Sequence, residues 1–344
     1  MKLKNLLAAI LAFAIAFVLA ACGDSEKDRS IEPSDTDAGG ADLRTYLVLK
    51  ESTTYNADGS VYQHIKVEQN EEGLPKAAMV EGERQGTVSY TYDGQYAVAS
   101  LDYDNADGDR EYYEFNRSGD NLKKDTYKEG ELDSTALYQY DEGGRLINKS
   151  YKEPNNSKAD KELTYSYKLD DYGRVTEELE YVNGKEYYIK QMEYDDLGNE
   201  IRYSGAYIGQ EPFIRVSEYD EAGKLQKTTE YTGDVEEACT EYFYDNNGRL
   251  LRFVTVKDGV EQAYEEYTYD EKGHVIKFAY YEKSMGERHY EYAYDQNGLL
   301  TKESYFIKGE LIRYTELVWH SRSVKLEHNV ALAIQREFSL LEEA

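Results

Sequence analysis

The chain has 344 residues, with 40 Lys and Arg against 68 Asp and Glu, a formal net charge of −28 at neutral pH. That excess of acid excludes nucleic acid as a partner and disfavours anionic membrane surfaces, because affinity for polyanions comes largely from Lys and Arg neutralising phosphates. A mean hydropathy of −0.79 with 31% charged residues leaves too little aliphatic material for a thick core, while 36 Tyr offer another kind of cohesion.

At the N-terminus, Lys2 and Lys4 precede an uncharged run over 6–21. The run is short for a membrane span of about 20 residues and suits a signal peptide. It ends in Leu19-Ala20-Ala21-Cys22, which resembles the lipobox of bacterial lipoproteins. The resemblance implies that residues 1–21 are a lipoprotein signal peptide, that cleavage precedes Cys22, and that the Cys22 sulfur carries a diacylglycerol. The exported chain would then be lipid-anchored to a bacterial membrane, at the cell surface or in the periplasm, with each buried CH₂ contributing about 0.8 kcal/mol. Residues 22–41 are polar, acidic and Gly-containing and read as a flexible tether. The acidic stretch 23–28 fits either a surface-export signal or simple tether solubility. With Cys22 lipidated, Cys239 has no disulfide partner, so stability has to come from the fold.

Residues 42–125 hold irregular strand-like pieces and turn signals at Asn56-Ala57-Asp58-Gly59 and Asn105-Ala106-Asp107-Gly108, expected as an N-terminal β cap. A repeat fills 126–326. Tyr-Asp, two residues and Gly recur at Tyr140-Asp141, Tyr194-Asp195, Tyr219-Asp220, Tyr244-Asp245, Tyr269-Asp270 and Tyr294-Asp295, and from 194 onward the step is 25 residues. Leu169-Asp170 and Phe115-Asn116 keep the register once a four-residue insertion within 153–160 is allowed, and Trp319-His320 marks a decayed last repeat. Each unit reads as two strands and two turns. Asp141, Asp195, Asp220, Asp245, Asp270 and Asp295 open the first turn, and Gly144, Gly198, Gly223, Gly248, Gly273 and Gly298 close it. Asp258-Gly259 is a signal for the second, a hairpin turn.

The strands alternate with period two, so the pairs Tyr138/Tyr140, Tyr242/Tyr244, Tyr267/Tyr269 and Tyr292/Tyr294 each lie on one face. Stacked repeats would align them into a Tyr wall, the candidate binding surface. Basic residues at 202, 227, 252, 277 and 302 and glutamates at 241, 266, 291 and 316 predict charge ladders.

The motif Y-x-Y-D-x-x-G-R-[LV], complete at 138–146 and 242–250, resembles the YD repeat of the RHS family over about 115–326. Members include bacterial toxin shells and metazoan adhesion proteins, and the resemblance implies β-hairpins wound into a spiral sheet, in some members closed as a cocoon. The period here is longer than is usual in that family and the RHS core motif is absent, so encapsulation of a toxin is not expected. The fold class expected is all-β: tandem 25-residue hairpins forming an extended, coiled antiparallel sheet or solenoid, open rather than closed. A short C-terminal capping helix is expected over 327–344, with Asn329 as N-cap and Val330, Ile334, Phe338 and Leu341 on one face.

Chemistry-bearing motifs are scarce. The His residues at 64, 274, 289, 320 and 328 have no metal-ligand spacing. The acidic turn holding Asp102, Asp104, Asp107 and Asp109 lacks the EF-hand pattern, and no nucleophile elbow, phosphate loop or dinucleotide fingerprint is present. No enzyme activity, metal or cofactor is expected. Two functions remain: a non-catalytic cell-surface binding or adhesion module presenting Tyr rows to a polysaccharide or protein, or a structural envelope scaffold. Exposure of the repeat tyrosines discriminates between them.

Overall fold

The computed structural model describes residues 43–82, 85–93, 98–105, 108–156 and 160–327. The expected signal peptide, Cys22, the tether and the C-terminal helix from Asn329 lie outside these residues. Among the described residues every regular element is a strand. The first seven are β1 (Leu43–Asn56), β2 (Val61–Gln69), β3 (Pro75–Gly82), β4 (Gly86–Tyr92), β5 (Val98–Asn105), β6 (Arg110–Phe115) and β7 (Asn121–Lys128). There follow β8 (Glu131–Tyr140), β9 (Leu146–Lys152), β10 (Lys161–Leu169), β11 (Val175–Val182), β12 (Lys185–Tyr194), β13 (Glu200–Tyr207), β14 (Phe213–Tyr219) and β15 (Leu225–Thr232). The last are β16 (Val235–Tyr244), β17 (Leu250–Lys257), β18 (Val260–Tyr269), β19 (Val275–Glu282), β20 (Gly286–Tyr294), β21 (Leu300–Ile307) and β22 (Glu310–Glu327).

The turns explain the repetition. At Asp141 the backbone N–H of Gly144 donates to the Asp141 carbonyl at 3.0 Å, and the Asp141 N–H donates to the Arg145 carbonyl at 2.9 Å. The Asp141 Oδ1 accepts from the N–H groups of Gly143 and Arg145, both at 2.9 Å. Gly144 closes this turn with φ +76°, a left-handed conformation that side chains disfavour. The strand then restarts one residue out of step, seen as the register shift beside Tyr194, Tyr219, Tyr244 and Tyr269. The second turn places both central residues at positive φ, Asp258 at 53° and Gly259 at 72°, the mirror-image turn that matches strand twist. Segment 43–125 uses the same first turn with Asn in place of Asp: Asn70 and Asn116 accept the same backbone bonds through Oδ1.

All 22 strands belong to one antiparallel sheet. The expectation of an open, coiled sheet is corrected here. Strand β1 pairs with β2 on one side and with β22 on the other, through a ladder running from Leu43 opposite Glu327 to Asn56 opposite Arg313. The sheet therefore closes on itself, which pairs the edge N–H and C=O groups an open sheet would leave free. Strand β22 continues to Glu327, the first residue of the span expected as helix.

The chain forms two compact units. Of the described residues, unit 1 takes those within 43–135, 293–303 and 313–327, and unit 2 those within 136–292 and 304–312. Unit 1 has an aliphatic core, with Val48, Ile65, Val67, Leu74, Val80, Val88 and Leu101 buried together and Trp319 packed against them. Unit 2 is held by aromatic rings. Phe278, Tyr280 and Tyr290 stack at 5.7–6.5 Å, and Tyr305 lies 4.8 Å from Tyr290.

Gly205, in β13, shows how tightly unit 2 is fitted. A Cβ added there would collide with the Tyr188 hydroxyl and lie 2.9 Å from the Tyr203 hydroxyl. Gly205→Ala is expected to lower stability by about 1–3 kcal/mol, and Tyr188→Phe in the same chain should recover part of the loss. Chemical denaturation of the three variants checks this; an unshifted midpoint for Gly205→Ala would show that the hydroxyls move aside freely.

Candidate functional site

The candidate surface is the face of unit 2 that carries the YD tyrosines, and its geometry assigns the motif residues to two jobs. In four successive repeats the tyrosine of the Tyr-Asp step is a clasp. The hydroxyls of Tyr194, Tyr219, Tyr244 and Tyr269 donate to the carbonyls of Val175, Glu200, Leu225 and Leu250, nineteen residues earlier, at 2.8–3.0 Å. Tyr167 does the same to Leu146 at 2.7 Å across the inserted repeat. In unit 1 the Trp319 indole N–H replaces the phenol and reaches Leu300 at 2.8 Å.

The basic residue after the turn glycine completes the clasp. The Arg249 Nε donates to Asp245 Oδ2 at 2.7 Å, and the same guanidinium lies 4.7 Å from the ring centre of Tyr269 in the next repeat. Arg174 repeats this with Asp170 at 2.6 Å and Tyr194 at 4.6 Å, and Arg145 with Asp141 at 2.7 Å and Tyr167 at 5.8 Å. Asn199 and His274 take the Arg place at Asp195 and Asp270. The carboxyls of Asp141, Asp245 and Asp295 are held below the usual 3.8, first by the backbone N–H four residues on. Each phenol bond contributes about 1 kcal/mol and each ring–cation contact about 0.5–1 kcal/mol.

The first tyrosines lie beside these clasps on the same face. Tyr138 sits under the Lys149 ammonium at 5.2 Å, Tyr242 packs on Phe253 at 5.6 Å and Tyr267 on Phe278 at 5.0 Å. Tyr138, Tyr140, Tyr242, Tyr244, Tyr267, Tyr269 and Tyr294 are all half-buried, and Tyr292 is buried. The expected Tyr wall is therefore present as packing, without an exposed strip of rings. Burial pushes the phenols of Tyr165, Tyr167 and Tyr188 up to about 12 and raises that of Tyr267.

The opposite face carries the charge ladders in register. Lys227 stands across from Glu241, Arg252 from Glu266 and Lys277 from Glu291. Arg252 approaches Glu266 at 3.5 Å, Lys227 approaches Glu218 at 3.6 Å and Arg202 approaches Glu193 at 3.7 Å. Such half-exposed pairs contribute about 0–1 kcal/mol each.

Four features, three in unit 2 and Glu303 in unit 1, were not singled out in the sequence. Gly205, Glu265, Glu180 and Glu303 occupy strand positions where the neighbouring repeats carry other residue types, so comparison of equivalent positions is the signal that finds them. Burial raises the carboxyls of Glu180 and Glu265, and that of Glu303 reaches about 7. Among the described residues no group of three or more His, Cys, Asp or Glu is placed to hold a metal ion. Asp102, from the acidic turn, is engaged by both Nε and Nη2 of Arg110 at 2.6 and 2.7 Å.

No family model and no curated protein matches the chain in sequence. Solved structures give distant likenesses. TcdB2–TccC3–TEV is 13% identical with a TM-score of 0.32, covering 79% of this chain, which in turn spans 19% of that one. A porin-like protein from Bacteroides uniformis is 12% identical at TM-score 0.31, covering 68% of this chain and 96% of its own. Another from Bacteroides vulgatus is 8% identical at TM-score 0.26, covering 80% and 99%. Overlaps this low carry no argument about fold or function.

Removing the clasp hydroxyl tests its role. Tyr244→Phe and Tyr269→Phe are each expected to cost about 1 kcal/mol, whereas Tyr138→Phe, outside the clasp, should cost less. Equal midpoints for all three in urea would remove the distinction.

Glu303 gives a pH signature. Its folded value of about 7 lies above the ordinary 4.5, so ionising it costs stability, and the cost grows as pH rises from 4.5 to about 7. His289 and His320, held low by burial, act in the opposite sense, so the difference between variant and parent is the clean readout. Glu303→Gln should raise the melting temperature at about pH 8, with the gain vanishing near pH 4.5. A gain independent of pH would contradict the assignment.

Proposed function

We propose that the chain is an exported, lipid-anchored, non-catalytic protein of the bacterial envelope whose YD repeats serve as a structural scaffold. The observation that carries this is the clasp. The hydroxyls of Tyr194, Tyr244 and Tyr269 are spent on the preceding repeat and Asp245 is spent within its own turn, so these motif groups are committed to the fold. Of the two readings open in the sequence, this favours the scaffold.

Charge supports attachment through the N-terminal lipid over insertion of the strands. A strand that crosses a bilayer turns an apolar band to lipid. In unit 2 the ladder face carries Arg202, Lys227, Arg252 and Lys277 in mid-strand, and the YD face carries Glu178, Lys190, Arg215 and Glu265. Neither face offers such a band.

A binding role, to a polysaccharide or protein, keeps one point of support. Tyr138 and Tyr242 lie outside the clasps and keep part of their surface open. Both readings share the anchor, which is tested by fractionating cells that express the full chain or Cys22→Ala. The parent is expected in the membrane fraction with a lipid label, and the variant unlabelled and in the soluble fraction. Identical fractionation of the two would remove the anchor. Retention on immobilised polysaccharides, lost in a folded Tyr138→Ser/Tyr242→Ser double variant, would shift weight from scaffold to binding module.

A further inference from the structure

One cross-strand pair recurs at the same place on the YD face in five successive repeats: Glu178 opposite Lys190, Tyr203 opposite Arg215, Thr228 opposite Thr240, Phe253 opposite Glu265 and Phe278 opposite Tyr290. Four of these are balanced. Lys190 Nζ donates to Glu178 at 2.7 Å. The Arg215 guanidinium lies 5.6 Å from the Tyr203 ring centre and donates to Glu200 at 2.8 Å. The Thr pair is neutral, and Phe278 and Tyr290 stack at 6.3 Å.

The pair Phe253–Glu265 is the exception. The Glu265 carboxylate accepts one hydrogen bond, from the Tyr267 hydroxyl at 2.7 Å, and among the described residues no Lys, Arg or His lies within ion-pair distance of it. On its other side stands Tyr280, and the cation next in that row, Arg288, is one strand further on. Phe253, Tyr267 and Tyr280 thus surround an acid that has no counter-charge. Tyr242, Phe253, Glu265 and Tyr267 keep part of their surface open, whereas Phe278 and Tyr280 behind them are 3% and 7% exposed.

We propose that this place binds a small organic cation, an alkylammonium group whose charge is met by Glu265 and whose alkyl surface lies against Phe253, Tyr267 and Tyr242. An unpaired carboxylate among aromatic rings is costly to keep unless something brings the missing charge. Ring faces attract ammonium groups, most strongly where water is displaced. Two repeats earlier, the chain itself sets a guanidinium over Tyr203; at Glu265 the rings and the acid are present and the cation is not. The net charge of −28 further enriches cations near the surface. A bare metal ion fits less well, because one carboxylate and one phenol fall short of the six or more oxygens such ions collect.

The test is calorimetric titration of the full-length protein in detergent with choline and with its neutral isostere 3,3-dimethylbutan-1-ol. Choline is expected to bind and the isostere to bind at least about tenfold more weakly. Glu265→Gln keeps the shape and the Tyr267 partner and is expected to lose about tenfold or more in choline affinity without a lower melting temperature. Tyr242→Leu, at the open end, should weaken choline several-fold while leaving the clasps intact. Choline affinity should also fall on acidification earlier than an ordinary carboxylate would allow, since burial raises the Glu265 carboxyl. Absence of choline binding, equal affinity for the isostere, or affinity unchanged in both folded variants would each overturn the proposal.

Discussion

The hydroxyls of Tyr194, Tyr219, Tyr244 and Tyr269, each bonded to a carbonyl nineteen residues back, tie successive repeats to their predecessors, and much else in unit 2 follows from that bond. It fixes where the ring lies, and the ring fixes where the guanidinium of the preceding turn can lie. That guanidinium in turn holds the aspartate whose Oδ1 organises the turn. Aspartate, arginine and tyrosine form one unit shared by two repeats. Stability in such an array is approximately a sum of nearest-neighbour interfaces, so a small bond repeated at every interface is worth more than its single value. This is how a chain of mean hydropathy −0.79 holds strands together with little aliphatic material beneath them.

The two units solve the same problem differently. Unit 1 buries valine, leucine and isoleucine in one cluster, and there Trp319 makes the clasp bond to Leu300 through its indole N–H. A tryptophan suits that place because it brings a donor and a large apolar surface together. Unit 2 has no comparable aliphatic cluster among its described residues. It relies on stacked rings and on paired charges on both faces, and tyrosine serves there where phenylalanine would not, because the phenols of Tyr194, Tyr219, Tyr244 and Tyr269 each reach a backbone carbonyl while the ring fills space. The β1–β22 ladder removes the remaining weakness of a long polar sheet, its free edges.

What was legible in the sequence was local. Asp followed three residues later by Gly dictates a turn whatever surrounds it, and the spacing of Tyr242 and Tyr244 dictates a shared face. Closure was not legible, because Leu43 and Glu327 meet across almost the whole chain and no local pattern encodes that pairing. The role of the tyrosines was legible only in part. Period two places them on one face but does not reveal that the hydroxyl of Tyr269 spans to Leu250, so a ring that looked available for a partner is spent on the preceding repeat. The turns in 43–125 were partly hidden for a different reason. Asn116 was reached by extending the repeat register, whereas Asn70 makes the aspartate bonds with an amide oxygen at a place where a search for Tyr-Asp passes over it.

A repeat protein separates structure from specificity along its own sequence. Positions that recur every 25 residues, Asp245 and Tyr269 among them, meet the same surroundings each time and are answerable to the fold. Positions that change from repeat to repeat are released from that demand and can hold chemistry the fold does not need. The column running through Lys190, Arg215, Thr240, Glu265 and Tyr290 is of this second kind: two cations, a hydroxyl, an acid and a phenol at one place on the sheet. Two of those charges are answered inside the protein, by Glu178 for Lys190 and by Glu200 for Arg215. Glu265 is set against Phe253 and Tyr280, rings that cannot neutralise it, in a unit whose cohesion does not depend on it. A residue that the repeat does not require and that its surroundings penalise is where an external partner has most to contribute.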